Sequence, residues 1–295
     1  MTRRDRPGTP ATWRPRLVRV AVDGGEAVIE PDLDRQQAAT VFVAGTPQSH
    51  VDLGDPTYLC FEYVQHIGAI LDVMLATGTA EPLRLLHLGG GGLTIPRYVA
   101  TVRPRSTHRV AEVDGPLVEL VRAELPIDPR HQIRVSTIDA RELVRRTRGG
   151  SLDALVVDVF AGARVPAELC TSEFFALAAA TLRPEGVLVM NVVDRAPLTF
   201  SRRLVAATRT ALVETAVAAE PAVWRGRRLG NLVLVASPAA IPAASLSSRL
   251  AGGPFPARLQ AGSALDTFVG DAAPMTDADS EQSPEPPPDA FGLRR

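Results

Sequence analysis

The sequence predicts an α/β protein built on a doubly wound, mostly parallel sheet. Three observations carry that expectation. Between residues 82 and 237 apolar strand-like runs alternate with runs of helical period. The first of these strands ends in four consecutive glycines, and the next three end in acids. The last two strand runs, "TAVAAEP" and "GNLVLVAS", are joined by "AVWRGRRL", a link short enough to connect only antiparallel neighbours.

From Leu17 to about Leu53, "LVRVAV", "EAVIE", "ATVFVAG" and "SHVDL" alternate or run β-branched, with "DGG" and "GTP" between them. They read as a small antiparallel β domain. "PTYLCFEYVQHIGAILDVMLATG" has helical spacing, with Thr77-Gly78 as its expected C-cap. "LRLLHLG" and "RVAEVD" are strands, and "PLVELVRAEL" is a helix with proline at its start. "IRVSTID" is a strand and "ARELVRRT" a helix; "LDALVVDVF" is apolar enough to be buried on both faces. "TSEFFALAAATL" is a helix capped by Thr171 or Ser172, followed by the strand "VLVMNVV" and the helix "SRRLVAATRTALV". With the closing pair, the expectation is a seven-stranded, mostly parallel sheet with a reversed last strand.

Composition narrows the chemistry. With 45% hydrophobic and 22% charged residues in 295, the chain is ordinary globular material. A net charge of −1 gives no case for nucleic acid or an anionic membrane. The sequence contains no lysine, which excludes Schiff-base catalysis and a P-loop. Cys60 and Cys170 have no CxxC spacing and the five histidines form no HxxxH or HxH pair, so no metal site is expected. No run of eighteen apolar residues exists, and "MTRRDRPGTPATWRPR" leads into no apolar h-region. The expectation is a cytoplasmic protein.

In a doubly wound sheet, ligands sit beyond the C-terminal strand ends near the switch in strand order. Gly89, Gly90, Gly91 and Gly92 follow the first strand, where missing Cβ atoms let a ligand approach the main chain. Glu112 ends the second strand, twenty positions after Gly92, a distance at which a carboxylate takes ribose hydroxyls. Asp139, with Ala140, ends the third, where it could meet an adenine amino group or simply cap "ARELVRRT". Asp158 ends the fourth. One rim carrying all of these points to an adenosine-containing ligand.

These residues resemble the spermidine synthase (polyamine aminopropyltransferase) family, on the class I S-adenosylmethionine-dependent methyltransferase fold, from about Gly45 to about Ser237. The resemblance implies a small N-terminal β domain and a Rossmann-like domain binding decarboxylated S-adenosylmethionine as co-substrate, with no covalently bound cofactor. "GGGGL" stands in place of the family's GGGDG, Glu112 in "AEVDG" in place of its ribose acid, and Asp139-Ala140 in place of its adenine-side Asp-Ala. Asp158 in "VVDVF" corresponds to the catalytic aspartate, and Gln48 to the glutamine of "LDGxxQ", a nucleoside contact; Glu62 and His66 keep its "ExxxH" spacing. "VPAELCTSEFF" resembles the family's "GPAExL…F" segment.

Two family acids are missing: Gly92 replaces the aspartate of GGGDG, which meets the aminopropyl ammonium, and Ala161 replaces the second aspartate of "DSSDP". Asp194, Asp55 and Glu62 are open candidates to replace them. Aminopropyl transfer to a small-molecule amine, methyl transfer from intact S-adenosylmethionine, and non-catalytic nucleoside binding therefore stay open. An NAD dehydrogenase is a weaker fourth, because G-x-G-x-x-G is not cleanly met. The resemblance also implies a homodimer through the N-terminal strands. The expected organisation is a disordered arm (1–15), the β domain (16–55), the nucleoside-binding domain (56–240), a C-terminal extension (241–269) and a disordered tail (270–295).

Overall fold

The structure is a computed structural model that describes residues 13–76 and 82–287. Two sheets organise it. The smaller is a four-stranded antiparallel meander of β1 (Val18–Val22), β2 (Gly25–Pro31), β3 (Ala38–Val43) and β4 (Thr46–Asp52). These are the four strands expected from the alternation. The expected Thr77-Gly78 cap lies outside the described residues; the helix before it, α1 (Glu62–Met74), buries Val64, Ile67, Ile70, Leu71 and Met74 along one stripe.

Strand and helix then alternate: β5 (Arg84–Leu88), α2 (Thr94–Val102), β6 (Thr107–Glu112), α3 (Gly115–Glu124), β7 (Gln132–Thr137), α4 (Ala140–Arg145) and β8 (Leu152–Val157). They are followed by α5 (Ser172–Thr181), β9 (Leu182–Asp194), α6 (Thr199–Arg209), β10 (Glu214–Ala219), α7 (Pro221–Trp224) and β11 (Gly230–Ser237). Last come α8 (Ala243–Ala251), β12 (Arg258–Ala261) and α9 (Gly262–Val269). The larger sheet has the order β12-β10-β11-β9-β8-β5-β6-β7. β5 pairs in parallel with both β6 and β8, so the strand order reverses between β5 and β8. β11 runs antiparallel between β9 and β10, as the short link required.

The sheet has eight strands where seven were expected. The extra one, β12, is the four-residue "RLQA" paired with β10 at the edge. It is too short and too little apolar to announce itself, which is common for an edge strand.

The period-2 rule sorts β8 into two cores. Leu155 and Val157 pack under α4, α5 and α6, while Ala154 and Val156 pack under α1, α2 and α8. Each such fully buried leucine or valine contributes about 1.5–3 kcal/mol over exposure. The small sheet has no core of its own: Ile29, Val41 and Val51 join Val110, Leu117, Leu120 and Leu125 of the larger unit. It is thereby fixed over the mouth of the β5–α2 turn. No helix among the described residues is long and apolar enough to cross a membrane.

The tail expectation needs correction. Over residues 270–287 the chain packs against the body: Met275 and Ser283 are fully buried, and Asp277 makes a two-pronged ion pair with Arg141 (2.7 and 2.8 Å). Proline and acid hid the segment, because its anchors are single residues meeting partners far away in sequence. Trp13, from the expected N-terminal arm, also packs against the core beneath the small sheet.

Candidate active site

A cavity of ≈ 600 Å³ opens at the C-terminal edge of the parallel strands, roofed by the small sheet. Gln48 on β4, Gly89, Gly90 and Gly91 after β5, Glu112 at the tip of β6, Asp139 and Ala140 at the start of α4, and Asp158 after β8 all line it. Of the catalytic and nucleoside-contact residues expected from the sequence, only Gly92 is missing from this surface; the matched Glu62 and His66 and the candidate acids Asp55 and Asp194 do not line it.

The switch point dictates the glycine turn. Asp158 donates its backbone N–H to Leu88 O (2.9 Å), bringing the two strand ends together. Gly89 has φ +89°, and a Cβ there would lie 2.1 Å from Asp158 O. Neither the conformation nor the space admits a side chain.

Gly92 has a different reason to be glycine, and its assignment to the cofactor surface is corrected. Its N–H donates to Ser49 Oγ (2.9 Å), its carbonyl accepts from Arg97 Nε (3.1 Å), and a Cβ would meet Val51 Cγ2 at 2.8 Å. It lines neither this cavity nor the smaller one beside it. The small sheet lies directly against this turn and leaves no volume for the family's aspartate.

Glu112 Oε2 accepts from Gly90 N–H (2.9 Å) and Gly91 N–H (3.3 Å), and Oε1 accepts from Asp114 N–H (3.1 Å). The carboxylate and the glycine turn hold each other in place. Asp139 fulfils the capping alternative, accepting from Glu142 N–H (2.8 Å), while still lining the cavity.

Asp158 lines both this cavity and the smaller one beside it. Its Oδ1 accepts from Asn191 Nδ2 (2.9 Å), whose Oδ1 accepts in turn from Asn231 Nδ2 (2.9 Å). The Tyr63 phenol lines the same cavity and interacts with this carboxylate. Burial raises the Asp158 pKa to about 6, and the interactions with Asn191 and Tyr63 oppose that rise. Burial likewise pushes the Tyr63 phenol well above its usual range, with Asp158 adding to the effect. Tyr63 and the Asn191–Asn231 pair were not singled out in the sequence. Asn191 did leave a signal, a lone amide in the apolar strand "VLVMNVV"; Tyr63 stood unnoticed inside the "ExxxH" spacing.

The candidate replacements for the missing acids are occupied elsewhere. Asp194 accepts from Ser201 N–H and Oγ–H at the start of α6. Asp55 bonds Thr57 and Arg35, and Glu62 pairs with Arg228. His66 bonds Phe255 O, away from the cavity. Burial and the neighbouring Glu220 raise Glu62 to about 7.

The electrostatic character of the cavity is one-sided. Asp23, Glu112, Asp114, Asp139, Asp158 and Glu168 line it, with no arginine or histidine among the lining residues, although the chain holds 32 arginines. Such a cavity suits a cation and repels a pyrophosphate. The remaining wall, Phe160, Ala161, Ala163, Pro166 and Leu169, is apolar. Among the described residues no group of three or more His, Cys, Asp or Glu could hold a metal ion.

No family model matches the chain. It is 32% identical over 120 residues to a polyamine aminopropyltransferase of Vibrio vulnificus (strain CMCP6), and 29% over 148 residues to one of Chromobacterium violaceum. These stretches are 40% and 50% of this chain, and they span only 40% and 54% of the relatives' own length. The structure superposes on a probable spermidine synthase from Corynebacterium glutamicum ATCC 13032 with a TM-score of 0.83 and 31% identity. That match covers 89% of this chain and 97% of the other. Identity at that level across nearly the whole of both chains, on one shared architecture, shows that the chain belongs to the spermidine synthase family.

Proposed function

We propose that the protein transfers an aminopropyl group from decarboxylated S-adenosylmethionine to a small amine. The observation that carries this reading is the set of six carboxylates without a basic residue around the cavity. A sulfonium and an amine are both cationic, whereas the pyrophosphate of a dinucleotide or the free carboxylate of an intact methionyl chain would find no cation there. Burying such a group unpaired costs several kcal/mol.

In this reading Glu112 takes the ribose hydroxyls, exchanging its bonds to the glycine amides for bonds to the sugar. Asp139 and Ala140 meet the adenine, and Gln48 covers the nucleoside from the small sheet. The acceptor nitrogen forms a bond to the carbon beside the sulfonium as the C–S bond breaks, and methylthioadenosine leaves with the electron pair. The protein's main contribution is alignment of the three atoms. Asp158 receives the proton that the nitrogen sheds; a carboxylate near pKa 6 is ionised at neutral pH yet basic enough to do so. On the apolar wall, the carboxylate offered to a second ammonium is Glu168.

A protein of the same fold with 18% identity, a spermidine synthase, has been seen with the transition-state analogue AdoDATO, and its TM-score is 0.56. We infer a cytoplasmic enzyme, in keeping with two free cysteines and no disulfide among the described residues. Self-association through β1, which pairs on one side only and exposes Val20, completes the proposal.

Calorimetry with decarboxylated S-adenosylmethionine, S-adenosylmethionine, methylthioadenosine and NADH tests the reading, together with methylthioadenosine release over a panel of amines. The decarboxylated form should bind best and release should require an amine. Binding of NADH alone would overturn it.

A further inference from the structure

Beside the main cavity lies an inner chamber of ≈ 30 Å³ that shares Gln48, Tyr63, Gly89, Gly90 and Asp158 with it. Val64, Ile95 and Val156 supply apolar wall, and His87 on β5 is the remaining polar side chain of interest. His87 is 2% exposed. Its Nε2 lies 3.1 Å from His108 Nδ1 on β6, and the two rings stack at 5.3 Å. Its Nδ1 is buried and has no hydrogen-bond partner among the described residues. An unmatched buried polar atom destabilises a fold, so one on a residue that lines a ligand cavity asks for a partner from the ligand.

The pair also defines what kind of partner. Burial drives His87 well below its usual pKa and His108 down to about 4, so both rings are neutral. When His87 Nε2–H donates to His108 Nδ1, the His87 Nδ1 is left as a bare acceptor. The reverse arrangement presents an N–H and suits an anion. Charge decides between them. No arginine lines the chamber, and the Asp158 carboxylate borders it. The N-terminus of α2 also faces it through Thr94, Ile95 and Pro96, but a helix end carries about half a positive charge against the full negative charge of Asp158.

We propose that this chamber seats the terminal amine of the co-substrate's three-carbon chain, with His87 Nδ1 as the acceptor that selects the decarboxylated form. The inference rests on the aminopropyl-transfer reading and adds the residue that enforces it. Size agrees: ≈ 30 Å³ admits about two water-sized groups at most, so an amine head fits and an added carboxylate does not.

The test compares nucleosides that differ only in the chain. Wild-type protein should bind decarboxylated S-adenosylmethionine at least tenfold tighter than methylthioadenosine and than intact S-adenosylmethionine. In His87→Leu the advantage over methylthioadenosine should fall below threefold with methylthioadenosine affinity unchanged, and His87→Asn, which returns an acceptor near the same place, should restore part of it. Because a core variant can fail to fold, the wild-type protein labelled with ¹⁵N-histidine supplies a second readout. The His87 Nδ1 resonance should move on adding the decarboxylated form and stay put on adding methylthioadenosine. A stationary resonance, a retained preference in His87→Leu, equal loss of both nucleosides, or tighter binding of the intact form each overturns the seat. If wild type binds methylthioadenosine without preferring the decarboxylated form, the seat alone fails. If it binds no nucleoside, the functional reading falls and takes the seat with it.

Discussion

The proposed nucleoside end of the cavity and the proposed acceptor wall are built in opposite ways. At the nucleoside end, Gly89, Glu112 and Asp139 sit at successive strand tips, and their positions follow from the parallel pairing of β5, β6 and β7. The acceptor wall is the loop after β8, and the C-terminal segment braces it. Val165 N–H donates to Ser283 Oγ (2.9 Å), Ser283 N–H to Val165 O (3.3 Å), and Arg164 Nε to Ser283 O (2.6 Å). The Arg141–Asp277 pair and the Thr171 bond to Asp277 anchor the same segment further along. One end is therefore fixed by the sheet, and the other by a clasp of residues more than a hundred positions apart in sequence. The difference teaches where specificity can change: the clasped loop can be altered without disturbing the strand tips.

Substitutions at each end should separate accordingly, and Asp158 lies at the junction. Asp158→Asn should cut transfer by about 10²–10⁴-fold, the usual contribution of a positioned base, while methylthioadenosine binding stays within about twofold. Single-turnover assays beside calorimetry would show it, and retained turnover would remove Asp158 from the mechanism.

Glu112→Gln should act on the nucleoside end alone. Loss of the charged acceptor should weaken methylthioadenosine by about 10–100-fold, as expected for a charge-assisted bond, with the KM for the amine unchanged. A parallel rise in the amine KM would mean that the two ends are not independent.

Between them stands a pH test. The kcat/KM profile should rise with pH through about 6, because the buried carboxyl must lose its proton before it can accept another. The Asn191 bond lowers that pKa, so Asn191→Leu should move the acidic limb to higher pH, by about one unit. A limb that moves to lower pH would show that Asn191 does not stabilise the ionised form.

The smallest effect belongs to the clasp. Ser283→Ala leaves Val165 N–H without its side-chain acceptor and costs about 1 kcal/mol locally. The amine KM should rise a few-fold with nucleoside affinity intact. If nucleoside affinity falls instead, the clasp supports the whole cavity and not one wall.

How much of this was legible follows the range of each interaction. The alternation after residue 82 fixed the sheet, and strand ends in such a sheet share one rim, so Gly89, Glu112, Asp139 and Asp158 could be named from spacing. Gly92 looked like its neighbours in sequence, yet it is pressed against Ser49 and Val51 of the small sheet. Tyr63 and Asn191 reach Asp158 from α1 and β9, contacts that no local pattern encodes.

The sequence by itself determined the succession of strands from β1 to β11 and the acidic rim, since hydrophobic period and strand-end position are properties of neighbouring residues. Only the tertiary structure decided which polar atoms meet. The Asn231–Asn191–Asp158 chain, the His87–His108 stack and the Ser283 clasp each join residues from separate elements. Hydrogen bonds form over about 3 Å, and only packing brings distant parts of a chain that close.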